Sequence, residues 1–163
     1  MKQENKYYLV LLLLFGVPAL VAQALIVPLI RIHIWQPDLV LCIVLLLSKR
    51  FGAIPGSTAG FFLGLLQDAL TGMPVGMSAF PKSLVGYLVG KFHGQNIKGV
   101  FMDLWFVLFI LIHEIIFYSL LGIKAELNLS EMVINRALPN AIYTMISLLI
   151  INLFLKKYLS EEP

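Results

Sequence analysis

The stretch of sequence that decides the fold is residues 52–76, GAIPGSTAGFFLGLLQDALTGMPVG. A glycine or an aspartate recurs in it at every fourth position. These positions are Gly52, Gly56, Gly60, Gly64, Asp68, Gly72 and Gly76. Residues four apart lie on one face of an α-helix, so Gly56, Gly60 and Gly64 form a ridge without side chains, which we call the glycine ridge. Such a ridge lets another helix approach closely, as small residues do in membrane helix packing.

The glycine ridge has two interpretations, and the sequence leaves both open. It packs the protein's own helices together, it is a docking face for a partner protein, or it does both. Gly86 and Gly90 repeat the four-residue spacing in the next hydrophobic segment. Gly72 and Gly76, with Pro74 between them, predict a tight turn that joins the two segments.

The composition is typical of an integral membrane protein. The 163 residues are 60% hydrophobic and 13% charged, with a mean hydropathy of +0.90. A soluble domain carries about 25% charged residues, so this chain has too little polar surface to cover a water-soluble globule. Its apolar residues come in long runs, and in lipid such runs satisfy their backbone hydrogen bonds as helices. We therefore expect an all-α membrane protein that forms a six-helix transmembrane bundle.

Six hydrophobic segments follow one another in a single domain, residues 1–163. A helix needs about 20 apolar residues to cross the bilayer core. The predicted helices are residues 8–27, 36–48, 52–70, 75–92, 100–121 and 134–155. The second segment is short, so it needs its flanks or its neighbours to cross.

The basic residues predict that both termini face the cytoplasm, because Lys and Arg concentrate on the cytoplasmic side of a membrane protein. In that orientation the cytoplasmic side holds Lys2, Lys6, Lys49, Arg50, Lys91, Lys98, Lys156 and Lys157. The outer side holds Arg31, Lys124 and Arg136. This bias is obtained only if all six segments cross, which supports the short second segment.

Several function classes lack their sequence signatures. Basic residues are not clustered with aromatic residues, so we expect no nucleic-acid partner. The single cysteine, Cys42, excludes an internal disulfide and a cysteine metal cage. His113-Glu114 lacks the second histidine of a zinc-protease motif, and Asp103 would lie about 15 Å from His113 along the helix axis. We expect no catalytic residues, no metal and no cofactor.

Two oppositely charged residues lie near the predicted turn. Asp68 lies near the outer end of the third segment, and Lys82 lies a turn or two into the fourth. Ionisable groups in a membrane are costly unless they are paired or hydrated. The two residues form a structural pair, they extend to water at the membrane interface, or they contact a ligand or a partner. Pro37 and Asp38 precede the second segment, where proline and an acidic residue are ordinary choices at a helix start.

A second polar group lies in the middle of the fifth segment. His113 and Glu114 are adjacent, so their side chains point about 100° apart on a helix. They form hydrogen bonds within the bundle, for instance to Asn140 or Asn152 of the sixth segment, or they line a polar cavity.

The order and spacing of several motifs between residues 36 and 92 resemble one family of membrane proteins. The motifs are Pro37-Asp38-Leu39, Lys49-Arg50, Gly56-x-x-x-Gly60-x-x-x-Gly64-Leu65-x-x-Asp68, Gly72-x-Pro74-x-Gly76 and Val85-Gly86-Tyr87-x-x-Gly90. Together they resemble MreD, the rod shape-determining membrane protein of bacterial cell-wall elongation.

The resemblance implies a non-enzymatic, multi-pass subunit of the elongation complex in the bacterial inner membrane. Proteins of this family associate with MreC, and through it with MreB, RodA and a penicillin-binding transpeptidase. By the same resemblance, the glycine ridge, Asp68 and the Gly72–Gly76 turn organise the bundle. The ridge is then the expected contact for the transmembrane helix of MreC. Whether the protein forms a homodimer stays open.

The same resemblance suggests an alternative function. The fold of MreD proteins is similar to that of the substrate-binding S components of energy-coupling-factor vitamin transporters. S components usually present an Ala-x-x-x-Ala face on the first helix, and here Ala19, Ala22 and Ala24 lack that spacing. An outward-opening polar pocket, lined by aromatic residues and closed by the loop between the first two helices, would favour the transporter function.

Overall fold

The computed structural model describes residues 2–94, 100–125 and 128–159. These residues are helical almost throughout, and none of them belongs to a β-strand. The α-helices are α1 Lys2–Leu11, α2 Val17–Leu25, α3 Val27–Ile30, α4 Leu39–Phe51, α5 Ala53–Thr71, α6 Ala79–Gly90, α7 Val100–Ala125, α8 Leu129–Met132 and α9 Leu138–Leu159. The prediction of an all-α protein is therefore confirmed. Lys98, which the orientation argument counts, lies outside the described residues.

Within the described part of the chain, three helical stretches are long and apolar enough to cross a membrane. They are Lys6–Leu25, Leu104–Ile123 and Ser130–Leu155. Helices α4 and α6 have 13 and 12 residues, which gives lengths of about 20 Å and about 18 Å against a bilayer core of about 30 Å. Residues 40–48 of α4 are all buried, so this short helix is enclosed by protein.

Two π-helical turns, Leu12–Gly16 and Val133–Ala137, interrupt the first and last long helices. Each turn ends two residues before a proline, Pro18 or Pro139. Proline lacks a backbone N–H and crowds the carbonyl four residues earlier, so the preceding turn opens. For Pro139 that carbonyl belongs to Asn135, and it accepts a hydrogen bond of 2.9 Å from Trp35 Nε1. The opened turn therefore ties the last helix to the loop that precedes α4.

Helix α5 packs most extensively on α6, and the two run antiparallel. Gly56 faces Gly86, whereas Gly64, two turns later, faces Ala79. Helices α4 and α6 run parallel, because Asp38 meets Lys82 near their starts and Val44 meets Gly86 further along.

The helix ends fall into two groups, which define two ends of the molecule. At the first, Tyr8 donates a hydrogen bond of 2.8 Å to the Pro55 carbonyl, and His93 Nδ1 lies 2.9 Å from the Lys49 carbonyl oxygen. We call this the Lys49 end. At the opposite Asp38 end lie residues 31–38, the Gly72–Gly76 turn and the start of α9, where the Asn140 side-chain oxygen accepts a hydrogen bond of 3.0 Å from the Gln36 amide.

Two helices begin later in the structure than the sequence predicted, and each difference has a structural cause. The second helix begins at Leu39 rather than Gln36, because Asp38 is its N-cap and accepts a hydrogen bond of 2.8 Å from the Leu41 amide. The fourth begins at Ala79 rather than Val75, because residues 75–78 belong to the turn.

Candidate functional site

The glycine ridge is covered by the protein's own helix α6. A Cβ atom at Gly60 would lie 2.5 Å from the Lys82 carbonyl carbon, and one at Gly56 would lie 2.6 Å from the Gly86 carbonyl oxygen. Real Cβ contacts are not this short, so the two backbones touch only because the ridge lacks side chains. The ridge therefore packs the protein's own helices, and α6 occupies the face that the sequence offered to a partner protein.

Gly86 and Gly90 supply the other half of this contact. A Cβ atom at Gly86 would lie 2.8 Å from the Gly56 carbonyl carbon, and Gly90 packs against the backbone of Gly52 and Ala53. Glycine is thus needed on both helices, which explains why the four-residue spacing occurs twice in the sequence.

Asp68 organises the turn between α5 and α6. Its buried carboxylate accepts hydrogen bonds from the amides of Gly76 at 2.8 Å and of Ser78 at 3.0 Å. Gly72 and Gly76 have φ angles of 69° and 99°, which are left-handed conformations that favour glycine. The turn predicted from the sequence is therefore present, with Asp68 as its acceptor.

Lys82 pairs with Asp38 and not with Asp68. The Lys82 Nζ donates a hydrogen bond to Asp38 Oδ2, and the exposed fractions of the two side chains are 0% and 13%. The expected Asp68–Lys82 pair was wrong, because Asp68 is engaged by the turn amides and Lys82 lies beside the start of α4. The predicted helix-start role of Asp38 is confirmed, and Asp38 also neutralises a buried ammonium group.

His113 continues this network from α7. Its Nε2 lies 3.5 Å from Lys82 Nζ, and its Nδ1 lies 3.4 Å from Glu114 Oε1. The second contact lacks hydrogen-bond geometry, so Nδ1 is buried without a partner. An ammonium group only donates, so Nε2 is the acceptor in its contact with Lys82.

The hydrogen bonds expected between the His113-Glu114 pair and the last helix are absent among the described residues. Asn140 instead donates to the Tyr118 hydroxyl and accepts from the Gln36 amide. Asn152 is half-buried near the other end of α9. Of the two interpretations, participation in a polar cavity is the one that the structure supports.

A cavity of about 40 Å³ lies at the Asp38 end, between the loop before α4 and helices α5, α7 and α9. Residues with polar side chains that line it include Gln36, Asp38, Gln67, Glu114, Tyr118 and Asn140. Gln36 is exposed, so the cavity adjoins the surface. The Gln67 Oε1 atom is buried and has no hydrogen-bond partner. The cavity is thus polar and faces an unpaired acceptor.

The polar residues of this region that the sequence analysis missed include Gln23, Thr144 and Gln67. Gln23 of α2 donates to the Pro37 carbonyl at 3.1 Å and accepts from the Leu39 amide at 2.7 Å. Thr144 of α9 accepts from the Asp38 amide at 3.0 Å. An uncharged polar residue inside a hydrophobic segment was the available signal in all three cases.

Two further predicted site residues have structural roles at the surface and in the loop. Tyr87 is exposed, and Lys91 Nζ lies 5.1 Å from the centre of its ring. Pro37 is buried beneath the cavity and receives the Gln23 hydrogen bond. Among the described residues, no three His, Cys, Asp or Glu side chains come together in an arrangement that would hold a metal ion.

The chain matches one protein family, and it is the family that the motifs of α4 to α6 resemble. Neither the curated proteins nor the solved structures contain a match. The family model described as rod shape-determining protein MreD, however, matches residues 3–161, nearly the whole chain. This match extends well beyond residues 36–92, to which the sequence motifs are confined. Together with three helices that are apolar enough to span a membrane, it shows that the chain belongs to the MreD family of rod shape-determining membrane proteins.

Proposed function

We propose that the protein is a non-enzymatic subunit of the bacterial cell-wall elongation complex and helps to maintain rod shape by binding MreC. The observation that carries this proposal is the family match over residues 3–161. Through MreC the protein would join MreB, RodA and a penicillin-binding transpeptidase, and so help to organise peptidoglycan synthesis.

We further propose that six helical segments cross the inner membrane, with both termini in the cytoplasm. The grouping of helix ends supports this topology, because consecutive segments connect the Lys49 end and the Asp38 end alternately. Lys49, Arg50 and Lys91 lie at one end, whereas Arg31 lies at the other. The short helices α4 and α6 contact protein over much of their surface, so they need not match the bilayer thickness alone.

The polar residues support a non-enzymatic role. Asp38 and Lys82 neutralise each other, and Asp68 is held by backbone amides. A catalytic group instead needs free access to a reacting atom. The proposal therefore assigns these residues to maintaining the fold that presents the partner surface.

The partner surface must lie outside the glycine ridge, since α6 covers the ridge. Phe61, Phe62 and Leu66 lie on the opposite side of α5 and are exposed, as are Ile142 and Ile146 of α9. In a membrane such surfaces face lipid or another helix. The MreC helix, or a second copy of this protein, would bind to a surface of this kind.

The alternative function as a vitamin-binding S component is less well supported. A polar cavity does lie beneath the loop between the first two long helical segments, and Phe117 and Tyr118 line it. Its volume of about 40 Å³, however, is far below the 300–1,000 Å³ or so of pockets that enclose drug-sized ligands.

The partner proposal is tested by replacing the chromosomal gene with a tagged copy in a rod-shaped bacterial host. We expect cells without the gene to become round, the tagged copy to restore rods, and MreC to co-purify from native membranes. A tagged, unrelated multi-pass protein is the control. Persisting rods after removal, or recovery of MreC no greater than with the control, would contradict the proposal.

The topology is tested by labelling introduced cysteines, because Cys42 is buried. We expect His33→Cys to react with a membrane-impermeant maleimide on intact spheroplasts. Lys91→Cys should react only after permeabilisation. Both positions are exposed in the structure. Equal labelling of the two variants on intact spheroplasts would refute an odd number of crossings between them.

A further inference from the structure

We propose that the cavity at the Asp38 end binds a primary ammonium group. The inference concerns a small-molecule site rather than the protein partner, and its test does not require MreC. It rests on the charge of Glu114, on the unpaired oxygen of Gln67 and on the size of the cavity.

Glu114 is a buried acidic side chain that no Lys or Arg of the described residues pairs with. Its exposed fraction is 4%, it lines the cavity, and His113 Nδ1 lies 3.4 Å from its Oε1 without hydrogen-bond geometry. The ammonium of Lys82 is already bound by Asp38. A buried carboxylate is costly unless a positive charge and hydrogen-bond donors compensate it, and no described residue donates a hydrogen bond to Glu114.

The other charged groups around the cavity do not remove this deficit. Asp68 does not line the cavity, but its carboxylate accepts a hydrogen bond from the backbone amide of Ser78, which does. It therefore adds no positive charge to the site. Arg136 of the second π-helical turn is half-buried and does not line the cavity.

Gln67 provides an acceptor that points to the same ligand. Its Oε1 is buried, has no hydrogen-bond partner and belongs to the cavity wall opposite α7. An ammonium group carries three N–H donors and no acceptor, so it can satisfy Glu114 and Gln67 together. The aromatic rings of Phe117 and Tyr118 also line the cavity, and aromatic faces attract cations.

The size of the cavity limits the ligand to a small group. A volume of about 40 Å³ accommodates about two or three water-sized groups. This suffices for the ammonium and first methylene of an amine, whose remainder would extend past Gln36 to the surface. In the proposed topology this opening faces the outside of the cell, where the amine is a soluble molecule or the ethanolamine headgroup of a lipid.

The test uses the purified full-length protein in detergent and methylammonium chloride as the probe. Tetramethylammonium chloride at equal concentration is the control salt, because this cation has no N–H donor and is too large for the cavity. We expect methylammonium alone to raise the unfolding temperature in a saturable manner. Equal effects of the two salts would overturn the proposal.

Two variants locate the effect. In Glu114→Gln the half-saturating methylammonium concentration should rise about tenfold or more, because hydrogen bonds to charged groups are the strong ones. Glu131→Gln makes the same change at an exposed position of α8 and should leave the concentration unchanged. A Glu114→Gln protein that still saturates at the wild-type concentration would show that Glu114 is already neutral and that the cavity does not select cations.

The source of the amine is distinguished by the lipid. The titration is repeated in nanodiscs of phosphatidylethanolamine and of phosphatidylcholine, whose headgroup has no N–H donor. Competition by the ethanolamine headgroup would raise the half-saturating concentration in the first lipid only. Equal concentrations in the two lipids would assign the site to a soluble amine. The outcome is independent of cell shape and of MreC recovery, so this proposal and the proposed function can fail separately.

Discussion

Replacing Lys82 by methionine should lower the free energy of unfolding more than any comparable substitution at the surface. The ammonium group is fully buried, and its partner carboxylate is only 13% exposed. Two unit charges about 3 Å apart attract each other by roughly 5–6 kcal/mol at an effective dielectric constant of about 20. Removal of one partner leaves Asp38 buried and unpaired, which costs about 3–5 kcal/mol.

A double-mutant cycle separates the pair from other effects of the substitution. Asp38→Asn keeps an acceptor for the Leu41 amide but leaves the Lys82 charge alone, so it should also cost about 3–5 kcal/mol. In the double variant the free energy of unfolding should fall by only about 1–2 kcal/mol, because both charges are gone. The remaining loss arises because His113 Nε2 lacks its donor. The expected coupling energy is therefore at least about 3 kcal/mol.

The assay is reversible unfolding in mixed detergent micelles, followed by helical circular dichroism. Lys91→Met is the matched control, because Lys91 is exposed and lies over the Tyr87 ring; its cost should be about 1 kcal/mol or less. Additive losses in the double variant would refute the reasoning, because they would show that the two groups do not stabilise each other.

Three further predictions use the same unfolding measurement. Gly60→Ala should lower the free energy of unfolding by about 3 kcal/mol, because its Cβ meets the backbone of the neighbouring helix. The control Gly16→Ala should lower it by about 1 kcal/mol or less, because that Cβ would meet only leucine side chains at 3.1 Å or more. Equal losses would contradict the close helix contact. Asp68→Ala should cost about 3 kcal/mol and Asp68→Asn about half of that, because the amide keeps one acceptor oxygen for the turn; equal losses would argue against the acceptor role. Trp35→Phe should lower the free energy of unfolding by about 1 kcal/mol, because the hydrogen bond to the Asn135 carbonyl is lost. An unchanged value would show that this bond does not stabilise the native state.

The helical segments could be predicted because each is a long apolar run, and a run of that kind has few alternatives in lipid. The predicted start of α6 failed because a side chain acts at a distance along the chain. Asp68 holds the amides of Gly76 and Ser78, eight and ten residues further on, and so delays the start of α6. The hydrophobic pattern of residues 75–78 does not indicate that contact.

The ionisable residues of the candidate site were predicted, but their pairings were not. Asp38, Lys82, His113 and Glu114 each stand out as polar residues in apolar surroundings, and the structure brings all four together. The pairing of Asp38 with Lys82 spans 44 residues, and it depends on α4 and α6 running parallel. That relation arises from packing across three helices, whereas the proximity of Asp68 and Lys82 in the sequence suggested a different pair.

The glycine contact and the buried charges together explain how a single arrangement of helices is selected. Lipid is as apolar as a leucine side chain, so burial of apolar surface does not distinguish one helix pairing from another. A shift of α6 along α5 by one residue would place side chains where Gly56 and Gly60 now meet backbone. The same shift would move Lys82 away from Asp38 and leave both charges buried. Steric and electrostatic terms therefore penalise the same displacement, and this combination specifies the rigid surface that a partner helix would recognise.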